Sequence, residues 1–188
     1  MKLAAATLLG GALLWCVPGA APAEPAPAPI TVLLLRHAEK ASGGGADPAL
    51  SEAGAARAVE LARLCGHSRA TALYATPFVR TRATLEPLAK ELGVELQTRD
   101  PKDVDALAGE LRKLAPGSVA VVAGHSNTVP ALAKALGAEL GGLAKGMLAE
   151  TEFDRLFVLS VDPAAARPTG WVELRYGAGS AAPTAAPK

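Results

Sequence analysis

The sequence predicts one α/β domain: a mostly parallel central sheet flanked by helices on both faces. Three observations lead there. Half of the 188 residues are hydrophobic and only 4% are aromatic, which suits a folded domain and argues against wholesale disorder. Short apolar runs of strand length alternate with longer segments of helical period, the pattern of βαβ units. No internal repeat breaks the alternation, and the chain is long enough for one sizeable core but short for two.

Taken in order, residues 1–23 read as an export leader. Lys2 supplies the positive start, Leu3 to Val17 are free of charge, and Ala21-Pro22-Ala23 offers a small-x-small cleavage site before Glu24. The apolar run falls short of the roughly 20 residues of a membrane span, so an exported, periplasmic or extracellular protein is expected, with an N-terminal membrane anchor as the alternative. Residues 24–29 form a Pro/Ala-rich linker, 30–176 the domain, and 177–188 a disordered tail of similar composition.

Within the domain, Ile30 to Leu35 is a buried parallel strand and Ser42 to Gly45 a loop. Ser51 caps a helix running to about Leu64. Ala70 to Ala75 is a second strand; Pro77 sits in the first turn of a helix ending near Leu92. Val94 to Gln97 is a third strand, Val104 to Leu114 a helix stopped by Pro116, and Ser118 to Ala123 a fourth strand. Pro130 lies early in a helix that ends near Gly137, Gly141 to Met147 is loop, and Arg155 to Val161 and Trp171 to Tyr176 are late strands.

Basic and acidic side chains number 19 and 18, a net charge of +1, with no basic run; nucleic acid is not an expected partner, and any anion preference must be local. After cleavage at Ala23, Cys65 is the one cysteine left and reads as a small buried hydrophobe. His37, His67 and His125 lack zinc-ligand spacing, so neither metal nor cofactor is expected; Gly43 to Gly45 is not followed by the Lys-Ser/Thr of a phosphate-cradling loop. His67 reads as a surface residue, Arg82 as a solvated helix arginine, and Glu39 and Lys40 as loop-shaping residues or a solvated pair.

The polar groups that matter follow strands. Arg36 and His37 come directly after the first strand, Arg80 early in the helix after the second, and His125 after the fourth, with Ser126, Asn127 and Thr128 leading into a helix. The carboxyl ends of parallel strands share one edge, so three segments deliver two arginines and two histidines to one crevice. Guanidinium forks match phosphoryl oxygens and stay charged at physiological pH, and helix N-termini add donors. An imidazole beside two arginines favours its neutral form, the form that can attack phosphorus. Asn127 and Thr128 can cap the next helix and touch phosphate at once.

The segments Leu34-Leu35-Arg36-His37-Ala38-Glu39-Lys40, Tyr74-Ala75-Thr76-Pro77-Phe78-Val79-Arg80-Thr81 and Gly124-His125-Ser126-Asn127-Thr128-Val129-Pro130 resemble, in order and spacing, the signature blocks of the histidine phosphatase superfamily. The resemblance runs from about Ile30 to Leu136. It implies a phosphoglycerate mutase-like fold, a phosphohistidine formed on His37, and phosphate binding by Arg36, Arg80 and His125. The small size is similar to the compact branch that includes bacterial phosphohistidine phosphatases and an exported lipopolysaccharide core heptose phosphatase. The acid that larger branches place after the second histidine is missing, since Ser126 stands there; Glu152 and Asp154 are the candidate proton donors. The expected partner is a small phosphorylated substrate or an envelope phosphate, without stable membrane insertion once the leader is gone. A domain of the same fold that binds phosphorylated ligands without turnover is the alternative. A serine hydrolase is excluded, because position 128 is Thr rather than Gly and no histidine follows Ser126.

Overall fold

The computed structural model describes residues 26–43 and 45–179. The expected leader, the start of the linker and residues 180–188 lie outside the described residues. The elements are β1 (Ile30–Arg36), α1 (Glu52–Cys65), β2 (Ala72–Ala75), α2 (Val79–Leu92), β3 (Leu96–Thr98), α3 (Val104–Arg112), β4 (Val119–Gly124), α4 (Thr128–Ala135), β5 (Arg155–Val161) and β6 (Gly170–Arg175). They build one six-stranded sheet in the order β3-β2-β4-β1-β5-β6. The β3-β2-β4-β1 part is parallel; β5 runs antiparallel to β1, and β6 to β5.

The alternation of side chains along β1 sorts the core into two layers. Ile30, Val32 and Leu34 pack with Leu111 of α3 and Val129 and Leu132 of α4. Leu33 and Leu35 face the other way, against Leu61 of α1 and Leu85 and Leu88 of α2. Helices thus cover both faces, as the near-continuous apolar run of β1 requires, and each fully buried leucine contributes about 1.5–3 kcal/mol. Cys65 belongs to the second layer; burial pushes its thiol up to about 11, so it is inert packing rather than a nucleophile.

Ser51 caps α1, its hydroxyl accepting from the Gly54 amide at 3.1 Å. A Cβ at Gly54 would overlap the Glu39 carbonyl oxygen, so glycine is what allows the first turn of α1 to lie on the loop that follows His37. Two expected boundaries move. Pro77 precedes the helix instead of lying in its first turn: Phe78 is the cap residue of α2, and the Asp47 carboxylate, from a distant loop, accepts from the Val79 amide at 3.1 Å. At the other end, Gly93 in the left-handed region (φ 65) closes α2, and β3 starts only at Leu96.

Glu39 neither stands alone nor pairs with Lys40. It holds the buried Arg57 through three bonds of 2.7–3.1 Å, while the other Arg57 donors reach the carbonyls of Tyr176 and Ala178 at 2.8 Å each. The chain is therefore tied down as far as Ala178, one residue past the expected start of the tail. Arg57→Leu strips this carboxylate and two carbonyls of their partner at once. We expect it to lower the unfolding free energy by about 3 kcal/mol in a urea titration, and an unchanged midpoint would refute the assignment.

Candidate active site

Strand register places the site. Leu35 of β1 lies beside Ala123 of β4, and Ala123 beside Ala75 of β2, so three strands end at one level. The next residues are Arg36, Gly124 and Thr76, followed by His37 and His125, and the His37 amide extends the ladder by donating to the Gly124 carbonyl at 2.9 Å. Beyond this level β1 sends its chain to the face of α1, while β4 sends its chain to the face of α4. Adjacent strands that part to opposite faces open a crevice, the usual ligand position in such sheets.

The crevice is a cavity of about 410 Å³, lined by Arg36, His37, Arg80 and His125, with Lys40 and Lys102 and the segment from Ser126 to Thr128 also on its wall. The four residues singled out by the sequence thus converge: the imidazole centroids of His37 and His125 lie 5.3 Å apart, and Arg80 Nε is 3.2 Å from His37 Nε2. Arg36 and His37 are each only 4% exposed, which makes the site a desolvated one. Arg36 stacks on Phe153 at 4.3 Å and Arg80 on Phe78 at 4.5 Å, so each guanidinium plane is set by an aromatic ring.

The hydrogen bonds of His37 define its tautomer. Nδ1 lies 2.8 Å from the Ala38 carbonyl oxygen, which can only accept, so Nδ1 carries the proton and Nε2 a lone pair. Burial, reinforced by the positive charges of Arg36 and Arg80, pushes this imidazole down to about 4; burial and the same two arginines do the same to His125. Arg36 is itself lowered by burial, with Glu150 working against the shift.

His125 follows a glycine for a steric reason. A Cβ at Gly124 would come within 2.7 Å of the Thr128 hydroxyl oxygen, which accepts from the His125 amide at 2.8 Å. Asn127 is the cap residue of α4, its exposed side chain makes no capping bond, and it lines the cavity. Thr128 spends its oxygen on the His125 amide.

The carboxylates fall differently from expectation. Glu152 points away from the cavity, accepting from the Ala149 amide at 3.2 Å and from Arg155 at 3.3 Å, and Asp154 pairs with Arg175 at 2.8 Å. The acid on the cavity wall is Glu150, 3.0 Å from Arg36 with a side chain 79% exposed. Because β5 is antiparallel to β1, the loop before β5 reaches this edge of the sheet, and Arg36 also donates to the Ala149 carbonyl at 2.8 Å. Asp47, 3.4 Å from Arg80, is the other acid that sequence reasoning passed over. Neither carries a motif signal, since both act from loops. Thr81 and Thr84 are the clearer omission: both are fully buried on the packed side of α2, a polar pair at i, i+3 spacing on an otherwise apolar face.

An α/β sheet with such a crevice can take an anionic ligand at its strand ends. Residues 32–101 match the family model of the histidine phosphatase superfamily (branch 1). Solved structures with the same fold include a candidate phosphohistidine phosphatase SixA of Agrobacterium tumefaciens, 22% identical, with a TM-score of 0.59 over 81% of this chain and 99% of that one. The protein histidine phosphatase SixA complexed with tungstate is 17% identical, with a TM-score of 0.60 over 77% and 96% of the two chains. Phosphoglycerate mutase of Plasmodium falciparum is 15% identical, with a TM-score of 0.53 over 86% and 98%. A search of curated proteins gives no match.

Both imidazoles have folded values near 4, below the ordinary 6.5, so the unfolded chain binds more protons than the folded one between those limits. Their contribution to stability is complete above about pH 6.5 and is lost as the pH falls toward 4. In a proton NMR titration the ring signals of His37 and His125 should stay flat from about pH 7.5 to about 5 and move only nearer 4. Movement centred near 6.5 would contradict the desolvated site.

Proposed function

We propose that the protein is an exported phosphatase that hydrolyses a phosphomonoester or phosphoramidate through a phosphohistidine on His37. The observation that carries this reading is the unprotonated Nε2 of a neutral, buried imidazole, which accepts from Arg80 and lines the same cavity as Arg36. The family match and the resemblance to SixA, a protein solved with tungstate, support a phosphatase in general terms. Export rests on the leader-like residues 1–23.

In the first step the Nε2 lone pair attacks phosphorus as the bond to the leaving oxygen or nitrogen breaks; the leaving group takes a proton and departs. In the second step water attacks the phosphohistidine, the P–N bond breaks, and inorganic phosphate and neutral His37 are regenerated. Arg36, Arg80 and His125 hold the equatorial oxygens, and charge that develops there in the transition state is stabilised by groups already in place. Arg80 Nε donates to the nucleophilic nitrogen, so substrate must draw that donor onto its own oxygens before attack. Glu150 occupies the outer fork of Arg36 and must yield it in the same way. Glu152 and Asp154 pair with Arg155 and Arg175, and among the described residues no buried carboxyl lines the cavity, so good leaving groups, phosphoramidates and aryl phosphates, are favoured over alkyl phosphates.

His37→Ala should abolish turnover together with an acid-labile, stoichiometric phosphoenzyme, and Arg36→Ala or Arg80→Ala should lower kcat by about 10²–10³. A phosphate-binding domain without catalysis would form no phosphoenzyme in rapid-quench labelling, and that result would refute the proposal. Glu150→Gln frees the Arg36 fork without adding charge; it should tighten inorganic phosphate binding about two- to fivefold by calorimetry, as expected for loss of an exposed competing ion pair.

A further inference from the structure

Thr76, between β2 and α2, and Thr81, in the first turn of α2, are 6% and 0% exposed and join His125 in a line of short contacts. His125 Nε2 lies 2.9 Å from the Thr76 hydroxyl, which lies 2.6 Å from the Thr81 hydroxyl. The Thr81 oxygen is also 2.8 Å from the Phe78 carbonyl and 3.0 Å from the Thr76 carbonyl. Proton counting orients the line. Both carbonyls can only accept, so the single Thr81 hydrogen is directed to them, and toward Thr76 the Thr81 oxygen must accept. The Thr76 hydrogen is then committed to Thr81, and the Thr76 oxygen must accept from His125.

We propose that Thr81, acting through Thr76, is a positioning residue that holds neutral His125 as the Nε2–H tautomer and leaves Nδ1 as the nitrogen presented to the phosphoryl group. Among the described residues nothing bonds Nδ1, and the ring lines the cavity. A bare Nδ1 repels a fully ionised phosphoryl oxygen, so one proton must sit between them. That proton arrives with a monoanionic phosphoryl group, or on His125 with a dianion; the two routes hold the same atoms. The groups facing this ring make the proton's place matter. Arg36 of β1 and Arg80 of α2 oppose an imidazolium in the empty site, His37 sits 5.3 Å away, and Lys40 and Lys102 add positive charge along the wall. Glu150 and Asp47 are the opposing charges, each paired with one of the two arginines. The line thus requires one proton between Nδ1 and the phosphoryl oxygen, whichever partner brings it. Turnover is greatest between about pH 4, where the imidazoles charge, and about 6, where a phosphate monoester loses its second proton.

Thr84, one turn along α2, serves the other imidazole. Its hydroxyl oxygen accepts from the Ala38 amide at 2.9 Å and donates to the Arg80 carbonyl at 2.7 Å, tethering the residue whose carbonyl sets the His37 tautomer. One helix therefore orients both rings.

This inference rests on the proposed phosphatase reading, and its test separates the two. Nitrogen-15 NMR of the full chain at neutral pH should show His125 protonated at Nε2 and bare at Nδ1. Thr76→Val should produce a mixture of tautomers, lower kcat/KM near pH 5.5 by about 10–100-fold, and flatten the fall above pH 6, because a ring free to present Nδ1–H accepts a dianion. Thr76→Ser should restore both the spectrum and the profile, which a merely structural role would not require; Thr81→Val and Thr81→Ser should repeat the pattern. A wild-type His125 carrying its proton on Nδ1, or a Thr76→Val protein with the wild-type spectrum and pH profile, would overturn the proposal. The wild-type spectrum decides the tautomer even where a valine variant fails to fold. If the chain binds inorganic phosphate with the same pH limits but turns nothing over, the phosphatase reading fails and the tautomer assignment stands.

Discussion

The parallel register of β1, β4 and β2 is the constraint on which the rest depends. Leu35, Ala123 and Ala75 lie side by side, and so the residues that follow emerge at one height on one edge. A shift of one residue would move every side chain of β1 to the opposite face, exchanging Leu33 and Leu35 with Val32 and Leu34 between the two core layers. It would also carry Arg36 and His37 past Gly124 and His125. The apolar core therefore holds the spacing of the site: the same burial that stabilises the sheet keeps two imidazoles 5.3 Å apart.

Gathering this much positive charge away from water is unfavourable, and the fold offsets it locally. Arg36 lies over Phe153 and donates to the Ala149 carbonyl and to Glu150; Arg80 lies over Phe78 and is near Asp47. The imidazoles meet the cost by staying neutral, which is the state a nucleophile needs. The cations of the site are paired with Glu150 and Asp47, acids that an anion can replace. Buried charge with an exchangeable partner favours binding an anion over fixing a structure.

Much of this was legible in the sequence, and the part that was not has a common physical cause. β5 matches the expected Arg155–Val161 span, α1 its cap at Ser51, and β4 lies within one residue at each end of the expected strand. Arg36, His37, Arg80 and His125 were identifiable because each follows a strand whose end the apolar run marks. Contacts that cross the fold left no such mark. Asp47 satisfies the start of α2 from 32 residues away, Arg57 binds Glu39 and the carbonyls after β6, and the direction of β5 relative to β1 is invisible in its composition. Thr81 and Thr84 were within reach, because two hydroxyls on the apolar stripe of α2 must find partners when buried.

The direction of β5 also decides which acid faces the cavity. An antiparallel strand begins where its neighbour ends, so residues 149–154 meet Arg36 at the crevice. Arg155, buried at the start of β5, then takes Glu152 together with Glu173 and the carbonyls of Gly141 and Gly142, and Arg175 takes Asp154. These contacts turn the two acids nearest the strand into struts of the loop. Glu150 lies beyond their reach, and its side chain stays largely in water while touching Arg36. A loop anchored at its base and at Leu148, whose amide bonds the Ser126 carbonyl, keeps that carboxylate at the mouth without burying it.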